Sequence, residues 1–102
     1  MNRRQLESDV ERRHRQRAIM AGWFVEKIEK TTRGGFPDRF YARGGRVVLV
    51  EWKRPGGRIS AQQQGRLSAQ QQLRHQELRA AGVEVHVVYT IEEANRILGI
   101  DA

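Results

Sequence analysis

The sequence predicts a single α/β domain with a mixed central sheet flanked by helices, in the order α-β-β-β-α-β-α. Three observations lead to this prediction. The chain has 102 residues, which is enough for one modest hydrophobic core and too few for two. Segments with the composition of helices alternate with short apolar segments that are typical of strands. Two of these strand-like segments flank a short glycine turn, and a later pair encloses a helical segment, so an antiparallel hairpin is followed by a strand-helix-strand unit.

The first predicted helix runs from Arg3 to about Gly22. It contains good helix formers and no proline, and its few apolar side chains recur at spacings of three to four residues. Gly22 is a typical residue for the end of a helix. The next segment, 23–30, alternates aromatic and β-branched residues with polar ones, so we expect a strand.

An antiparallel hairpin is predicted next. Residues 36–42 form a strand-like segment with a proline near its start, and residues 43–45, RGG, indicate a tight turn. Residues 46–53, RVVLVEWK, are the most apolar run of the chain. Such a run is typical of a central strand that is buried on both faces.

The second half of the chain predicts a helix, a strand and a closing helix. Residues from about Ser60 to Ala81 are rich in Gln, Leu, Arg and Ala and end at a glycine, which favours one long helix. Residues 83–89 predict a further strand. A last helix over 90–100 begins with the capping-box pattern, in which Thr90 is followed three residues later by Glu93.

The composition favours a nucleic acid as the partner. Nineteen Lys and Arg against twelve Asp and Glu give a net charge of +7, and most of these cations are arginines. No apolar run approaches the roughly 20 residues of a spanning helix, and no signal-peptide pattern is present, so we expect a cytoplasmic protein without a membrane partner. The chain has no cysteine, which excludes disulfides, thiolate zinc sites and a cysteine nucleophile.

Two carboxylates stand in unusual positions. Asp38 follows a proline inside a strand-like segment, and Glu51 interrupts the apolar run of the central strand. A charge at the end of a buried strand is costly unless a cation meets it. Strand alternation places Lys53 on the same face as Glu51, with Trp52 opposite, and a hairpin would bring Asp38 across from Glu51. Such a cluster can hold a hard divalent cation through oxygen ligands.

These motifs resemble those of a known family. The stretch GGFPDRF, followed thirteen residues after its aspartate by EWK, resembles the PD-(D/E)XK nucleases. The fuller set, GGFPDRF, then GGRVVLVEWKRPGGRIS, then LRAAGVEVHVV, resembles the VRR-NUC subfamily in particular, over nearly the whole chain. The resemblance implies a restriction-endonuclease-like core and hydrolysis of DNA phosphodiester bonds with Mg²⁺ or Mn²⁺.

The resemblance also implies roles for individual residues. Asp38 and Glu51 would be metal ligands, and the backbone carbonyl of Trp52 would add a third oxygen. Lys53 would be the catalytic lysine. The glutamate that the family uses on its first helix falls on Glu7, with Glu11, one turn later, as the alternative.

A glutamine that the family keeps in the helix after the EWK strand falls on one of two positions, because residues 57–72 repeat eight letters, GRISAQQQ and GRLSAQQQ. The chain is therefore similar to the family pattern with an eight-residue insertion. Leu78, the expected core anchor, lies seven residues after Gln71, on nearly the same helical face. Packing thus favours Gln71 over Gln63.

The basic residues that we expect to contact the DNA backbone lie on the first helix, the first strand and the loop after the central strand. They are Arg3, Arg4, Arg12, Arg13, Arg15, Arg17, Lys27, Arg54 and Arg58. The histidines are not expected to be metal ligands, since His14 and His75 lie among arginines on predicted helices and His86 lies in a core-like strand.

In this subfamily the resemblance further implies branched DNA, often a four-way junction, as the substrate of a homodimer in a bacterial or phage-infected cell. The lengthened connection at 57–72 offers one route to a dimer by exchange of the C-terminal half between subunits. A second hypothesis is a nucleic-acid-binding module that keeps the fold but has lost cleavage, because the duplication lies next to the site.

Overall fold

The computed structural model describes residues 3–53 and 66–101 of the chain, and of residues 3–10 it describes the backbone alone. The described elements follow the predicted order. They are α1 (Arg3–Met20), β1 (Phe24–Lys27), β2 (Arg39–Arg43), β3 (Arg46–Trp52), α2 (Ala69–Ala80), β4 (Glu84–Val88) and α3 (Ile91–Leu98).

The four strands form one mixed sheet in the order β1-β2-β3-β4. β1 pairs antiparallel with β2, and β2 antiparallel with β3. β3 pairs parallel with β4, because the chain between them passes through α2 and returns in the same direction. The predicted α/β class and mixed sheet are thus confirmed.

The turn of the β2–β3 hairpin consists of Gly44 and Gly45, whose φ angles are 58° and 84°. Two consecutive residues with positive φ are typical of the two-residue turn whose twist matches that of the flanking strands. Glycine adopts this conformation without the steric cost of a Cβ atom. The turn fixes the hairpin register, in which Arg43 pairs with Arg46 and Arg39 with Val50.

One predicted boundary is wrong. The helix expected from about Ser60 begins at Ala69, and residues 66–68 before it are not helical. The reason is local: the Ser68 side chain accepts a hydrogen bond from the backbone N–H of Gln71, while the Gln71 side chain accepts one from the N–H of Ser68. This reciprocal capping box satisfies N–H groups that the first turn of a helix leaves unpaired. The helix therefore starts in the second copy of the repeat.

The two faces of the sheet carry different layers. Apolar side chains from α1, α3 and all four strands form the main core on one face: Ala18, Trp23, Val25, Tyr41, Val48, Val50, Val88, Ala94 and Leu98. The opposite face buries Leu49, Val85 and Glu51 next to α2. This second face is the one that holds the candidate site.

Not every aromatic residue joins the core. Phe24 is 59% exposed because β1 is an edge strand and α2 lies at the other end of the sheet, against β4. Among the described residues no helix is long and apolar enough to cross a membrane.

Candidate metal centre

The hairpin register places Asp38 directly beside the end of β3. Arg39 pairs with Val50. Asp38, which precedes Arg39, therefore lies opposite Glu51, which follows Val50. The backbone N–H of Trp52 donates to Asp38 Oδ2 at 3.2 Å, and the carbonyl of Asp38 accepts from Ile28 at 2.8 Å. The aspartate is therefore fixed on both sides, by the backbone of β3 and by the chain that follows β1.

Glu51 is buried in the sheet interior, with 6% of its surface exposed. It pairs with Val87 in the parallel register of β3 and β4. Its Oε1 and the Oδ1 of Asp38 are both buried, and neither accepts a hydrogen bond from an N–H or O–H donor of the described residues. The two carboxyl groups lie close enough that a proton on one can be shared with the other. Two carboxylate oxygens in this condition are unusual, because buried polar atoms are nearly always paired.

Burial raises the pKa of both carboxyl groups. For Asp38 the loss of hydration has the largest effect, and the hydrogen bond from the Trp52 N–H opposes it. For Glu51 the loss of hydration is followed by repulsion from the Asp38 carboxylate, while the positive charge of Lys53 lowers its pKa. Two adjacent buried carboxylates do not both ionise easily, so a nearby cation would stabilise their charged forms.

Lys53 lies immediately after β3, where its N–H donates to the carbonyl of Val88 at 2.8 Å. This bond extends the parallel pairing of β3 and β4 by one residue and fixes the backbone from which the ammonium projects. The lysine charge acts on both Glu51 and His75. The structure therefore brings together Asp38, Glu51 and Lys53, with the backbone of Trp52 between the last two.

The first helix contributes an ion pair at the edge of this cluster. Arg39 Nη2 lies 3.1 Å from Glu11 Oε2, and the arginine side chain is only 11% exposed. The charge of Glu11 raises the pKa of Asp38, and that of Arg39 lowers it. Glu7 lies one turn before Glu11 in the backbone of α1, and its side chain is outside the described residues.

The residues present fit a divalent cation in their chemistry. Mg²⁺ and Mn²⁺ prefer oxygen ligands, and the unpaired, buried Oδ1 of Asp38 and Oε1 of Glu51 are such ligands. No group of three or more His, Cys, Asp or Glu side chains in the described part of the chain is arranged to hold an ion. Two side-chain carboxylates would thus be joined by backbone, water or substrate oxygens, as is common for Mg²⁺.

The structure describes one of the two glutamines proposed for the site. Gln71 is in the first turn of α2, where its side chain forms the capping box with Ser68. Gln63 lies outside the described residues. His75 follows Gln71 by one turn on the same helix and points into the site, with Nε2 at 3.8 Å from Glu51 Oε1.

The predicted DNA-contacting residues are partly described. Arg12, Arg13, Arg15 and Lys27 are exposed, and Arg17 donates to the carbonyl of Asp101. An open cleft of about 280 Å³ between α1 and β1 is lined by Glu11, Arg12, Arg15, Glu26, Lys27 and Arg39. Arg54, Arg58 and the side chains of Arg3 and Arg4 are outside the described residues.

Sequence reasoning missed the burial of two histidines and the role of Arg39 beside Asp38. His14 is 1% and His75 0% exposed, although both lie among arginines in the sequence. The spacing of His75 does indicate a place near the site, because it follows Gln71 by four residues and the two therefore share a helical face. No sequence pattern distinguishes Arg39, which follows Asp38 in a strand, from the other arginines of the chain.

Comparison with solved structures supports the fold. The protein is similar to a structure described as "VRR_NUC domain", with a TM-score of 0.70 and 22% sequence identity, over 91% of this chain and 94% of that chain. No protein-family model and no curated protein matches the sequence. At this identity the similarity establishes the fold, and the VRR-NUC-like fold that the motifs predicted is confirmed.

Proposed function

We propose that the protein is a metal-dependent DNA endonuclease. The observation that carries this proposal is the pair of buried carboxylates at the adjoining ends of β2 and β3, each with an unpaired oxygen, beside the Lys53 ammonium. If the cluster had only a structural role, a cationic side chain would be expected to pair with these oxygens, because unpaired buried charges are strongly destabilising. The similarity to the structure of a VRR-NUC domain, and the resemblance of GGFPDRF and EWK to nuclease motifs, point in the same direction.

In this proposal Asp38 and Glu51 hold Mg²⁺ or Mn²⁺, with the backbone carbonyl of Trp52 as a third oxygen. Such an ion neutralises phosphate charge and makes a bound water more acidic. The protein contributes the geometry: the sheet register fixes the distance between the two carboxylates, and the Trp52 N–H holds one oxygen of Asp38.

Lys53 would bind a phosphate oxygen or orient the attacking water. Its ammonium lies close enough to Glu51 to lower the pKa of that carboxyl group, so it can act on a phosphate held at the same point. A positioned positive charge that meets developing negative charge is a strong contribution to phosphodiester hydrolysis.

Glu7 and Gln71 would support the metal or its waters from α1 and α2. The capping box that holds Gln71 supports a competing assignment to helix stability. Binding of metal would then require the Gln71 side chain to leave the N–H of Ser68, or to act through water. Glu11, already paired with Arg39, is the alternative to Glu7.

The DNA backbone would lie across the basic surface between α1 and β1. Arg12, Arg15 and Lys27 are exposed there and line the cleft. The ion pair of Glu11 with Arg39 lies between this cleft and Asp38. Contacts of this type bind DNA without reading its sequence. The other members of the proposed set are Arg3, Arg4, Arg13, Arg17, Arg54 and Arg58.

The proposed substrate is branched DNA, and a four-way junction is the first one to test, with a homodimer as the acting species. The net charge of +7 on 102 residues suits a substrate of high local phosphate density. Light scattering with and without a junction measures the number of subunits.

A labelled four-way junction with Mg²⁺ tests the proposal. Glu51→Gln and Asp38→Asn should abolish nicking, because each removes a proposed ligand charge while keeping the shape of the side chain. The exposed Glu92 on α3 gives the matched control, Glu92→Gln, which should cleave at the wild-type rate. Equal rates for Glu51→Gln and the wild type would refute the metal site.

A binding module without cleavage is the second candidate. The observations that favour it are the capping role of Gln71 and the pairing of Glu11 with Arg39, since both occupy groups that could serve a metal. It predicts salt-sensitive junction binding by the wild type, with no nicking at any concentration of Mg²⁺ or Mn²⁺.

A further inference from the structure

His75 is a buried polar residue that the proposed chemistry does not use. Its side chain is 0% exposed. Neither ring nitrogen has a hydrogen-bond partner among the described residues, and Nε2 lies 3.8 Å from Glu51 Oε1, which is also unpaired. Two unpaired polar groups thus face each other across the space between α2 and β3.

A packing role alone does not account for this ring. A leucine would fill a similar volume without polar atoms, whereas a buried polar group without a hydrogen-bond partner is destabilising. The distance of 3.8 Å exceeds that of an N–H···O hydrogen bond, about 2.9 Å, by an amount that a small side-chain rotation removes. The ring is therefore placed to donate to Glu51 once that carboxylate is drawn into a defined orientation.

The position of α2 makes this placement specific. Gln70 donates to the carbonyl of Arg33, and Arg74 donates to the carbonyl of Gly34, so the helix is tied to the loop that leads into Asp38. At Gly35 the approach is so close that a Cβ atom would lie 2.6 Å from the carbonyl oxygen of Gln70. The same helix turn thus fixes both the Asp38 loop and the ring of His75.

We propose that His75 is a positioning residue for Glu51, which donates from Nε2–H to Oε1 and holds the carboxylate in the orientation that binds the divalent cation. The inference rests on the proposed metal site and deepens it. Ligation keeps Glu51 as an anion, and an N–H donor forms a shorter and stronger bond to an anion than to a neutral group. Hydrogen bonds of this kind orient metal ligands and raise their affinity.

A neutral imidazole has one donor and one acceptor nitrogen. A donor at Nε2 serves Glu51 and leaves Nδ1 as the acceptor.

Three substitutions separate positioning from packing. His75→Gln places an amide N–H near the site of Nε2, His75→Asn places one near the site of Nδ1, and His75→Leu keeps the volume without a donor. Binding of Mn²⁺ to the DNA-free protein is measured from the electron paramagnetic resonance signal of the free ion. Thermal melting of each metal-free variant controls for folding.

We expect His75→Leu to melt at or above the wild-type temperature and to bind Mn²⁺ about 10- to 100-fold more weakly. His75→Gln should retain most of the wild-type affinity, and His75→Asn should resemble the leucine variant. If folded His75→Leu binds Mn²⁺ as tightly as the wild type, or if affinity simply follows melting temperature across the three variants, the positioning role is wrong.

Glu51→Gln is the reference that keeps this test separate from the proposed function. If the wild type binds Mn²⁺ and Glu51→Gln does not, the metal site stands, and the result for His75 is judged by itself. If the two proteins bind Mn²⁺ equally weakly, the metal site fails and the role of His75 is overturned with it.

Discussion

At the scale of single residues, the two carboxyl groups of the site lower the stability of the metal-free protein. Asp38 and Glu51 are adjacent, at least partly buried and incompletely hydrogen-bonded, and both have pKa values raised chiefly by burial. Groups arranged in this way are typical of functional sites, where stability is lost in favour of binding or chemistry. Two predictions follow from this property.

The first prediction concerns neutralisation of Glu51. Glu51→Gln should stabilise the metal-free protein at pH 8 by about 1–3 kcal/mol, because it removes a buried charge that faces the Asp38 carboxylate. Chemical denaturation in the presence of EDTA measures the change. The control Glu92→Gln, at an exposed position on α3, should alter stability by less than about 0.5 kcal/mol, and an equal effect in both variants would contradict the prediction.

The second prediction concerns pH. The pKa of Glu51 is raised in the folded protein above the ordinary value of 4.5, so the unfolded chain ionises first as pH rises. The contribution of Glu51 to the free energy of unfolding, taken as the difference between the wild type and Glu51→Gln without metal, should therefore fall as pH increases above about 4.5 through the raised pKa. Excess Mg²⁺ should restore this contribution at high pH. Denaturant titrations of both proteins at several pH values measure it, and a difference between them that does not change with pH would contradict the prediction.

At the scale of elements, α2 links the repeat, the Asp38 loop and Glu51. Its start is defined by the Ser68–Gln71 capping box, and its first two turns are tied to residues 33 and 34 by Gln70 and Arg74. A change at the helix start should therefore affect stability and the geometry of the site together. The duplication provides its own matched control, since Ser60 holds the same place in the first copy.

Ser68→Ala should lower the free energy of unfolding by about 1 kcal/mol, the usual effect of losing a helix N-cap. Ser60→Ala, in the first copy, should have a much smaller effect, because the described helix is capped by Ser68. Thermal and denaturant unfolding of the two variants are to be compared directly. Equal losses would mean that both copies cap a helix, and the assignment of the helix start to the second copy alone would fail.

At the scale of the whole molecule, charge sets the expected behaviour with DNA. The surplus of cations gives a net charge of +7, and several of them are exposed near the site. Each phosphate contact releases condensed counterions from DNA, so binding that depends on these contacts weakens steeply with salt.

Lys27→Ala should weaken junction binding and reduce the slope of log K against log salt by about 1, corresponding to one lost phosphate contact. Fluorescence anisotropy over a series of KCl concentrations, in Ca²⁺ or EDTA to prevent cleavage, measures the slope. Arg96→Ala, on α3 and outside the proposed contact set, removes the same charge and should leave the slope unchanged. An equal reduction in both variants would indicate a general charge effect without a defined surface.

The α/β class, the order of the elements and the meeting of Asp38 with Glu51 can all be predicted from the sequence. These features depend on local rules: apolar periodicity selects helix or strand, and a two-glycine turn fixes the register of the hairpin that joins the two carboxylates. The capping box that starts α2 can also be recognised in the sequence. The repeat contains two equivalent capping boxes, however, and local rules do not distinguish between them.

Which residues of other elements lie near the two carboxylates depends on tertiary packing. His75, Arg39 and Glu11 come from α2, β2 and α1, and their distances to the site depend on how those elements pack against the sheet. His75 has arginine neighbours in sequence and is nevertheless fully buried, because helical periodicity determines only which residues share a face. The packing of that face against β3, which is a long-range property of the fold, brings an imidazole to a carboxylate 24 positions away in the chain.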